Sequence, residues 1–199
     1  TLPDLDGQPI GEIGIALAAD DRRADGRVIL DYLRWDGAPK LRLRRPAGDG
    51  DFWRLAWVNG VSFFSKRFPP SFRISQGRGE GLISHGTRQW TDYAVETEIV
   101  VHLGNYGGVA ARVQGLRRYY GVRVTRAGRL EIVRVRDEAT EILASAPFRL
   151  EFETPIAMRV VVEGKEIRAS VDGTTLAARD DSPLALVDGA MGLIISEGA

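Results

Sequence analysis

The strongest constraint on the fold of this chain is a two-residue alternation of apolar side chains that recurs over most of its length. In residues 93–103, YAVETEIVVHL, Val95 and Ile99 fall on one side while Glu96 and Glu98 fall on the other. Side chains of a strand point alternately to its two faces, so this pattern predicts a β-strand with one buried face. Turn signals separate such segments about every ten residues, as expected of a sandwich or barrel.

Several further segments carry the same alternation or a high density of β-branched residues. They are residues 108–115, 119–125, 129–135, 157–164 and 190–198. Residues 166–179 predict a hairpin, because the pair Asp172–Gly173 tolerates the positive φ angles of a tight turn. Residues 137–144, DEATEILA, fit either a short helix or a strand. The sequence therefore predicts an all-β protein, an antiparallel β-sandwich.

The overall charge limits the classes of partner. Lysine and arginine total 27, as do aspartate and glutamate, and there is no cysteine. A neutral chain has no general attraction for nucleic acid or an anionic membrane, and no apolar run reaches the length of a membrane span. The missing cysteines exclude disulfides and thiolate metal sites but do not fix the cellular compartment. We expect a small ligand rather than nucleic acid, and no membrane span.

The N-terminal region differs from the rest. Residues 12–19 and 27–37 are predicted as two strands, and two strands alone form only a marginal hairpin. We therefore expect residues 1–45 to be a partial or accessory β unit, either the end of an upstream sandwich or a flap on the main one. Residues 46–199 are expected to form the jelly-roll sandwich. Because the first residue is Thr1 rather than methionine, we expect an upstream domain in the same chain.

Three short segments resemble a known fold family when they are taken in order. WTDY at 90–93, GVAAR at 108–112 and YY at 119–120 are similar to the concanavalin A-like, or laminin G-like, jelly roll. The order LDYLRWDGAP, FWRLAWVNGV, QGRGEGLISHGTRQWTDY, AARVQGLRRYY also resembles the C-terminal accessory region of bacterial ADP-ribosylglycohydrolase family proteins. That resemblance implies an accessory module of a larger hydrolytic protein, which binds a carbohydrate or a related ligand. It does not imply the hydrolase activity itself, which belongs to a helical domain.

The run RVQGLRRYYGVRV at 112–124 carries the candidate binding site. If its two strands pair as a hairpin, one face carries Arg112, Gln114, Tyr119 and Arg123. Glu96 and Glu98 would then lie on the neighbouring strand. Aromatic rings cover the C–H patches of sugars, and planar polar groups bind hydroxyls or a pyrophosphate in forks. The predicted ligand-binding residues are Trp90, Arg112, Gln114, Tyr119 and Arg123. The alternative is a solvated sheet face with cross-strand Arg–Glu pairs. Tyr120 is expected in the core.

Two other functions stay open. Glu96 and Glu98 would lie about 6.5–7 Å apart on one face, a separation that suits glycoside hydrolysis, although paired surface glutamates are the favoured explanation. The chain could instead be a structural docking module for a helical catalytic domain, through an apolar patch near Trp53 and Trp57. The aromatic cluster of residues 52–68 is otherwise expected to pack the seam between the N-terminal unit and the sandwich.

The sequence predicts no cofactor. His85 and His102 lack the spacing of a metal site. Calcium could bind loop aspartates, but no spacing selects a site among them. The available residues are Asp49, Asp51, Asp180, Asp181 and Asp188.

Overall fold

The computed structural model describes residues 14, 16, 27–32, 40–45, 50–68 and 70–199, and these residues form an almost entirely β structure. In these residues a 3-10 helix, Phe52–Ala56, precedes the twelve strands. The strands are β1 Val58–Gly60, β2 Phe63–Ser65, β3 Arg73–His85, β4 Tyr93–Val100, β5 Tyr106–Gly115, β6 Arg118–Thr125, β7 Arg129–Arg136, β8 Ala139–Pro147, β9 Pro155–Glu163, β10 Glu166–Val171, β11 Thr174–Arg179 and β12 Ala190–Gly198. The predicted all-β class is confirmed.

The strands form two antiparallel sheets packed face to face. The large sheet has the order β1-β3-β12-β5-β6-β7-β8, and β2 also pairs with β3. The small sheet has the order β11-β10-β9-β4. Every strand pair in both sheets is antiparallel. The predicted antiparallel sandwich is therefore confirmed, and the C-terminal strand β12 lies inside the large sheet, between β3 and β5.

The core between the sheets follows the alternation of the sequence. Alternate residues of β6 and β7 point towards the small sheet, and alternate residues of β9 and β10 point back towards the large one. Its members include Val109, Tyr120, Val122, Val124, Leu130, Ile132, Met158, Val160, Val162, Ile167 and Val171. Burial of such side chains contributes roughly 1.5–3 kcal/mol each, which makes this layer the main source of stability. Tyr120 lies in the core as expected.

Two local predictions are settled by the turns and by strand β8. Asp172 and Gly173 have φ angles of 42° and 81°, so they form the tight turn expected between β10 and β11. Residues 139–147 form a strand that pairs with β7, so the helix alternative for residues 137–144 is wrong. Pairing with β7 satisfies the backbone N–H and C=O groups of this segment, and its helical periodicity is too weak to favour a helix instead.

The aromatic residues near the N-terminal side divide into a buried and an exposed set. Trp53, Trp57 and Phe64 are buried against Ile83 of β3, with ring centroids of Trp53 and Phe64 5.1 Å apart. Phe52, Phe63 and Phe68 are exposed. The buried rings thus close one end of the large sheet, as large aromatic side chains commonly do.

The proposed N-terminal unit, residues 1–45, lies largely outside the described residues. Residues 27–32 are exposed and form no strand, so the strand predicted over 27–37 is not present in its described part. Leu43 packs on the tryptophan cluster, and the Arg45 guanidinium lies 5.1 Å from the Trp53 ring centroid. The boundary between residues 45 and 46 stays a prediction.

Candidate ligand-binding face

The outer face of the large sheet, which points away from the small sheet, carries an unusual set of polar and aromatic residues. Tyr119 and Arg123 alternate along β6 and so share this face. Across the strand pair, Arg123 lies opposite Glu131 of β7, while β5 contributes Tyr106. We call the group Glu80, Tyr106, Tyr119, Arg123 and Glu131 the arginine–tyrosine face.

Arg123 is held in place from three sides. Its Nε donates a hydrogen bond of 2.9 Å to Glu131, and its Nη1 lies 3.8 Å from Glu80. Its guanidinium lies over the Tyr106 ring, with Cζ 4.5 Å from the ring centroid. A guanidinium stacked on an aromatic ring and paired with a carboxylate has little freedom left. The side chain nevertheless keeps 14% of its surface accessible, and Glu131 keeps 11%.

The two carboxylates set the charge of the face. Arg123 brings one positive charge, and Glu80 and Glu131 bring two negative ones, so the arginine is already compensated. Burial and then a hydrogen bond with Glu80 raise the pKa of Tyr106. Its phenol therefore stays protonated at neutral pH and acts as a donor towards the carboxylate.

Tyr119 does not offer its ring to solvent. The side chain is 2% exposed and belongs to an apolar cluster on the outer face with Val133 and Ile194. It lies beside Gly121, where an added Cβ would sit 3.4 Å from its Cε2 atom. Leu116, in the turn between β5 and β6, reaches across the face to Gly60 on β1. The predicted stacking of Tyr119 on a ligand is therefore wrong in geometry, because the ring is sealed beneath other side chains.

Arg112 does not lie on the arginine–tyrosine face. Its φ angle is +49°, and the pairing of β5 with both neighbours shifts register around it, which marks a β-bulge. The bulge turns the side chain inward, where it is 1% exposed. The expectation that Arg112 shares a face with Tyr119 is therefore wrong, since alternation was assumed to continue through residue 112.

The buried guanidinium of Arg112 connects three parts of the chain. It donates to the carbonyl oxygens of Thr91 at 3.0 Å, Gly164 at 2.7 Å and Leu186 at 2.8 Å. A fourth hydrogen bond of 3.0 Å joins it to the Asp92 carboxylate. The Arg112 backbone N–H donates to the Tyr93 hydroxyl at 2.6 Å. These bonds describe a structural role, since four of the five N–H groups of the guanidinium donate to acceptors within the protein.

Gln114 and Trp90 lie at one end of the sandwich. Gln114 donates to the backbone oxygen and the carboxylate of Asp188, both at 3.1 Å. Trp90 is half-buried over Gly86 and packs edge-on against Tyr93, with ring centroids 5.9 Å apart. Gly108, the partner of Arg123 on β5, is six residues from Gln114, so about 20 Å of strand separates the two positions. The structure thus brings only Tyr119 and Arg123 of the five predicted residues onto one face.

Glu96 and Glu98 lie in the other sheet. Strand β4 pairs with β9, so the prediction that these glutamates neighbour β5 is wrong. Both point to the outer face of the small sheet, where Glu96 accepts a 2.6 Å hydrogen bond from Arg159 directly opposite. Glu98 lines the mouth of a cleft that Glu96 does not line. The spacing along one face is as predicted, but Arg159 bonds to Glu96, and of the two carboxylates only that of Glu98 lines the cleft.

Glu80, Tyr106 and Glu131 were missed as site residues. Glu131 was predicted only within a strand, and no local signal reveals which strand becomes its neighbour. A cross-strand Arg–Glu pair was expected in general terms, and Arg123 with Glu131 is such a pair.

The described part of the chain holds neither a cluster of metal ligands nor a membrane-spanning helix. In it, no group of three or more histidine, cysteine, aspartate or glutamate side chains could hold a metal ion. Asp180, one of the loop aspartates, is buried against Arg134, and Asp49 lies outside the described residues. Within the same residues no helix is long and apolar enough to cross a membrane.

The fold is similar to those of several solved structures. The carbohydrate binding module CBM66 from Bacillus subtilis has a TM-score of 0.62 at 14% identity, over 72% of this chain and 89% of that one. A Bacillus subtilis protein of unknown function with a galectin-like fold has a TM-score of 0.58 at 13% identity, over 82% and 92%. The GH43 protein BlXynB of Bacillus licheniformis, as its K247S mutant, has a TM-score of 0.51 at 12% identity, over 72% of this chain and 34% of that one.

Neither a protein-family model nor a curated protein matches the sequence. The resemblance to ADP-ribosylglycohydrolase accessory regions stays a prediction. At such low identities the structural likeness establishes the architecture: the chain is a galectin-like, jelly-roll β-sandwich.

Proposed function

We propose that this chain is a non-catalytic carbohydrate-binding module, and that its ligand contacts the arginine–tyrosine face at Arg123. The observation that supports the proposal is the fixed group of Arg123, Glu131, Glu80 and Tyr106, which is partly accessible on a sheet face. A guanidinium can donate two parallel hydrogen bonds in one plane, and a carboxylate can accept two. Side by side, they can therefore donate to and accept from two adjacent sugar hydroxyls. The fold shared with CBM66 makes a sugar ligand more plausible, as an analogy.

The charge of the face favours a neutral sugar over an anionic one. Glu80 and Glu131 compensate Arg123, so a pyrophosphate or uronic acid would meet two carboxylates for each arginine. Arg112, the other arginine expected to bind an anion, is buried, and its guanidinium already makes four hydrogen bonds within the protein. Of the two expected ligand classes, a neutral oligosaccharide therefore fits better than a sugar nucleotide.

Binding is expected to be weak. Tyr106 already carries Arg123 on its face, and Tyr119 is sealed, so hydrogen bonds supply most of the free energy. Such a site is expected to reach a dissociation constant on the order of 0.1–1 mM, which corresponds to about 4–5.5 kcal/mol. Ligand-observed NMR or calorimetry at high protein concentration suits that range.

The outer face of the small sheet provides a matched control. Arg159 and Glu96 are directly opposed on β9 and β4, as Arg123 and Glu131 are on β6 and β7. Each pair is an arginine Nε bonded to a glutamate, at 2.6 Å and 2.9 Å. A pair of variants, Arg123→Met and Arg159→Met, therefore removes one cross-strand arginine–glutamate pair from each of the two faces.

The test is a titration with neutral oligosaccharides, uronic acid oligosaccharides and ADP-ribose. We expect a neutral oligosaccharide to bind, Arg123→Met to weaken it roughly tenfold or more, and Arg159→Met to leave it unchanged. Circular dichroism confirms that both variants stay folded. An absence of binding in all three classes, or equal losses from the two variants, would refute the proposal.

We also propose that the module is an accessory part of a longer, hydrolytic protein. The fold occurs as about a third of the GH43 protein BlXynB, which shows that it can be joined to other domains. The sequence encoded upstream of Thr1 tests this role. An upstream catalytic domain supports it, and a full-length gene that encodes no catalytic domain contradicts it.

A docking role is a second candidate, favoured by exposed apolar residues around the buried tryptophans. Phe52 and Leu55 of the 3-10 helix and Phe63 of β2 are all more than half exposed. If an upstream domain packs here, Phe52→Ser combined with Leu55→Ser should speed proteolytic separation of the two domains in the full-length protein. An unchanged rate would argue against docking at this patch, and sugar titration should be unaffected in either case.

A further inference from the structure

An open cleft of about 850 Å³ lies between the two sheets, beside strand β4. Ile74 of β3, Ile99 of β4 and Leu193 of β12 contribute apolar walls, and Arg73 and His102 are among the polar residues that also line it. An apolar cleft of this size in the middle layer of a sandwich is costly when it is left open to water.

The cleft coincides with an unequal number of strands. The small sheet has four strands, whereas seven lie side by side in the large one. In the described part of the chain, β4 pairs only with β9, so its other edge has no strand beside it there. A free edge next to an apolar cleft is a site where a further strand can pair its backbone and bury its side chains at once.

Residues 27–32, RVILDY, have the composition that such a strand requires. The large apolar side chains Val28, Ile29, Leu30 and Tyr32 are between 52% and 78% exposed. In an extended strand, Val28, Leu30 and Tyr32 point to one face, and Ile29 and Asp31 to the other. This is the pattern of a strand with one apolar face and one mixed face, and none of the strands in the described part of the chain pairs with it.

The linker that follows residues 27–32 is long enough for them to reach the cleft, and it joins the sandwich at the cleft itself. Leu43, Arg44 and Arg45 line the cleft themselves, so the segment is attached at its wall. Eleven residues lead from Tyr32 to Leu43, and they can span at most about 36–40 Å. Strand β4 has eight residues and is about 27 Å long, so residues 27–32 can reach any part of its edge.

We infer that residues 27–32 have a docked state in which they form a fifth strand of the small sheet, paired with the free edge of β4. In that state Val28, Leu30 and Tyr32 cover the cleft beside the inward-facing Val95, Thr97 and Ile99. The occupant is a segment of the same chain, so docking is independent of protein concentration.

Disulfide trapping tests this arrangement cleanly, because the chain has no cysteine. Thr97 lines the cleft, so Thr97→Cys is combined in turn with Val28→Cys, Leu30→Cys or Tyr32→Cys. The matched controls combine it with Ile29→Cys or Asp31→Cys. A disulfide needs Cβ atoms about 3.5–4.5 Å apart, so the best position of the first set should oxidise roughly tenfold faster than either control.

The outcomes of the trapping experiment are distinct. An intramolecular disulfide from Val28, Leu30 or Tyr32 alone supports docking in the stated orientation. Equal rates at all five positions, or no intramolecular product, overturn it. A product that is mainly a disulfide-linked dimer also overturns it, because a second copy would then occupy the edge.

Hydrogen exchange provides an independent readout. Leu30→Asp should place a charge in the cleft and prevent docking, so amides of β4 should exchange roughly tenfold faster than in the unsubstituted chain. Ile29→Asp changes the same chemistry on the opposite face and should leave β4 protected. The inference is overturned if both variants, or neither, change the exchange of β4.

Discussion

Replacement of Arg112 should destabilise the fold rather than remove a ligand contact. In Arg112→Ala, the carbonyl oxygens of Thr91, Gly164 and Leu186 lose their donor, and the space of a fully buried side chain is left empty. Each unsatisfied buried acceptor costs about 1 kcal/mol or more, and removal of one partner from a buried charged network typically costs about 3–5 kcal/mol. We therefore expect the free energy of unfolding to fall by about 3–5 kcal/mol.

Urea denaturation followed by tryptophan fluorescence measures this loss directly. For a chain of this size, 1 kcal/mol corresponds to about 2–4 °C, so the midpoint of thermal unfolding should fall by about 6–20 °C. Arg112→Lys keeps a positive charge but cannot donate to four acceptors in a planar arrangement, so its loss should be intermediate.

Arg159→Ala is the control for this experiment, because it removes an exposed arginine from a surface ion pair, which is worth less than about 1 kcal/mol. If Arg112→Ala unfolds within about 2 °C of the unsubstituted chain, the structural role argued from its hydrogen bonds is wrong. If it stays fully stable and loses sugar binding, the original expectation of a ligand contact would be restored.

Buried ionisable side chains and one turn glycine also have measurable effects on titration and stability. Burial opposes ionisation of Asp180, but hydrogen bonds from Ser182, Arg134 and Tyr120 outweigh it and lower its pKa from 3.8 to about 2. Its ionised form therefore adds roughly 2 kcal/mol to the free energy of unfolding above pH 4, and this contribution is lost as the pH falls towards 2. In Asp180→Asn, the free energy of unfolding should depend less steeply on pH between 4 and 2. An unchanged dependence on pH would contradict this prediction. Burial raises the pKa of four tyrosines, which are Tyr93, Tyr106, Tyr119 and Tyr120. Their phenols should therefore stay protonated at pH 11 in an ultraviolet titration of the folded protein. Ionisation of these tyrosines below pH 11 would refute the prediction that burial raises their pKa. Gly173→Ala, at φ 81°, should cost about 1 kcal/mol in urea denaturation, whereas a neutral result would mean that the turn adapts.

The architecture of the sandwich could be predicted from the sequence because alternation is a property of single strands. The alternation in each of β4 to β7 predicts the ends of that strand to within two or three residues, and Asp172–Gly173 predicts the hairpin of β10 and β11. The pairing of β4 with β9 could not be predicted in this way, because their partners lie some 60 residues apart and no local signal selects them. That error placed Glu96 and Glu98 beside the wrong strand.

The candidate site was harder to predict than the fold for a second reason. A single bulge at Arg112 reverses the face of every later residue in β5, and an arginine with positive φ has no sequence signature. The burial of Tyr119 depends on a cluster that includes Leu82 of β3 and Ile194 of β12, which lie far from it in the sequence. Arg123 was identified because its segment, β6, keeps its alternation without interruption.

The position of β12 has a consequence for synthesis of the protein. The strand formed by Ala190–Gly198 bridges β3 and β5, so the seven adjacent strands remain two unconnected groups until these residues leave the ribosome. During synthesis the edges of β3 and β5 that will pair with β12 therefore stay unpaired and exposed. Unpaired strand edges recruit chaperones and promote aggregation of nascent chains. A premature stop before Ala190 would make that vulnerable state permanent, although residues 190–199 are only about a twentieth of the 199-residue sequence.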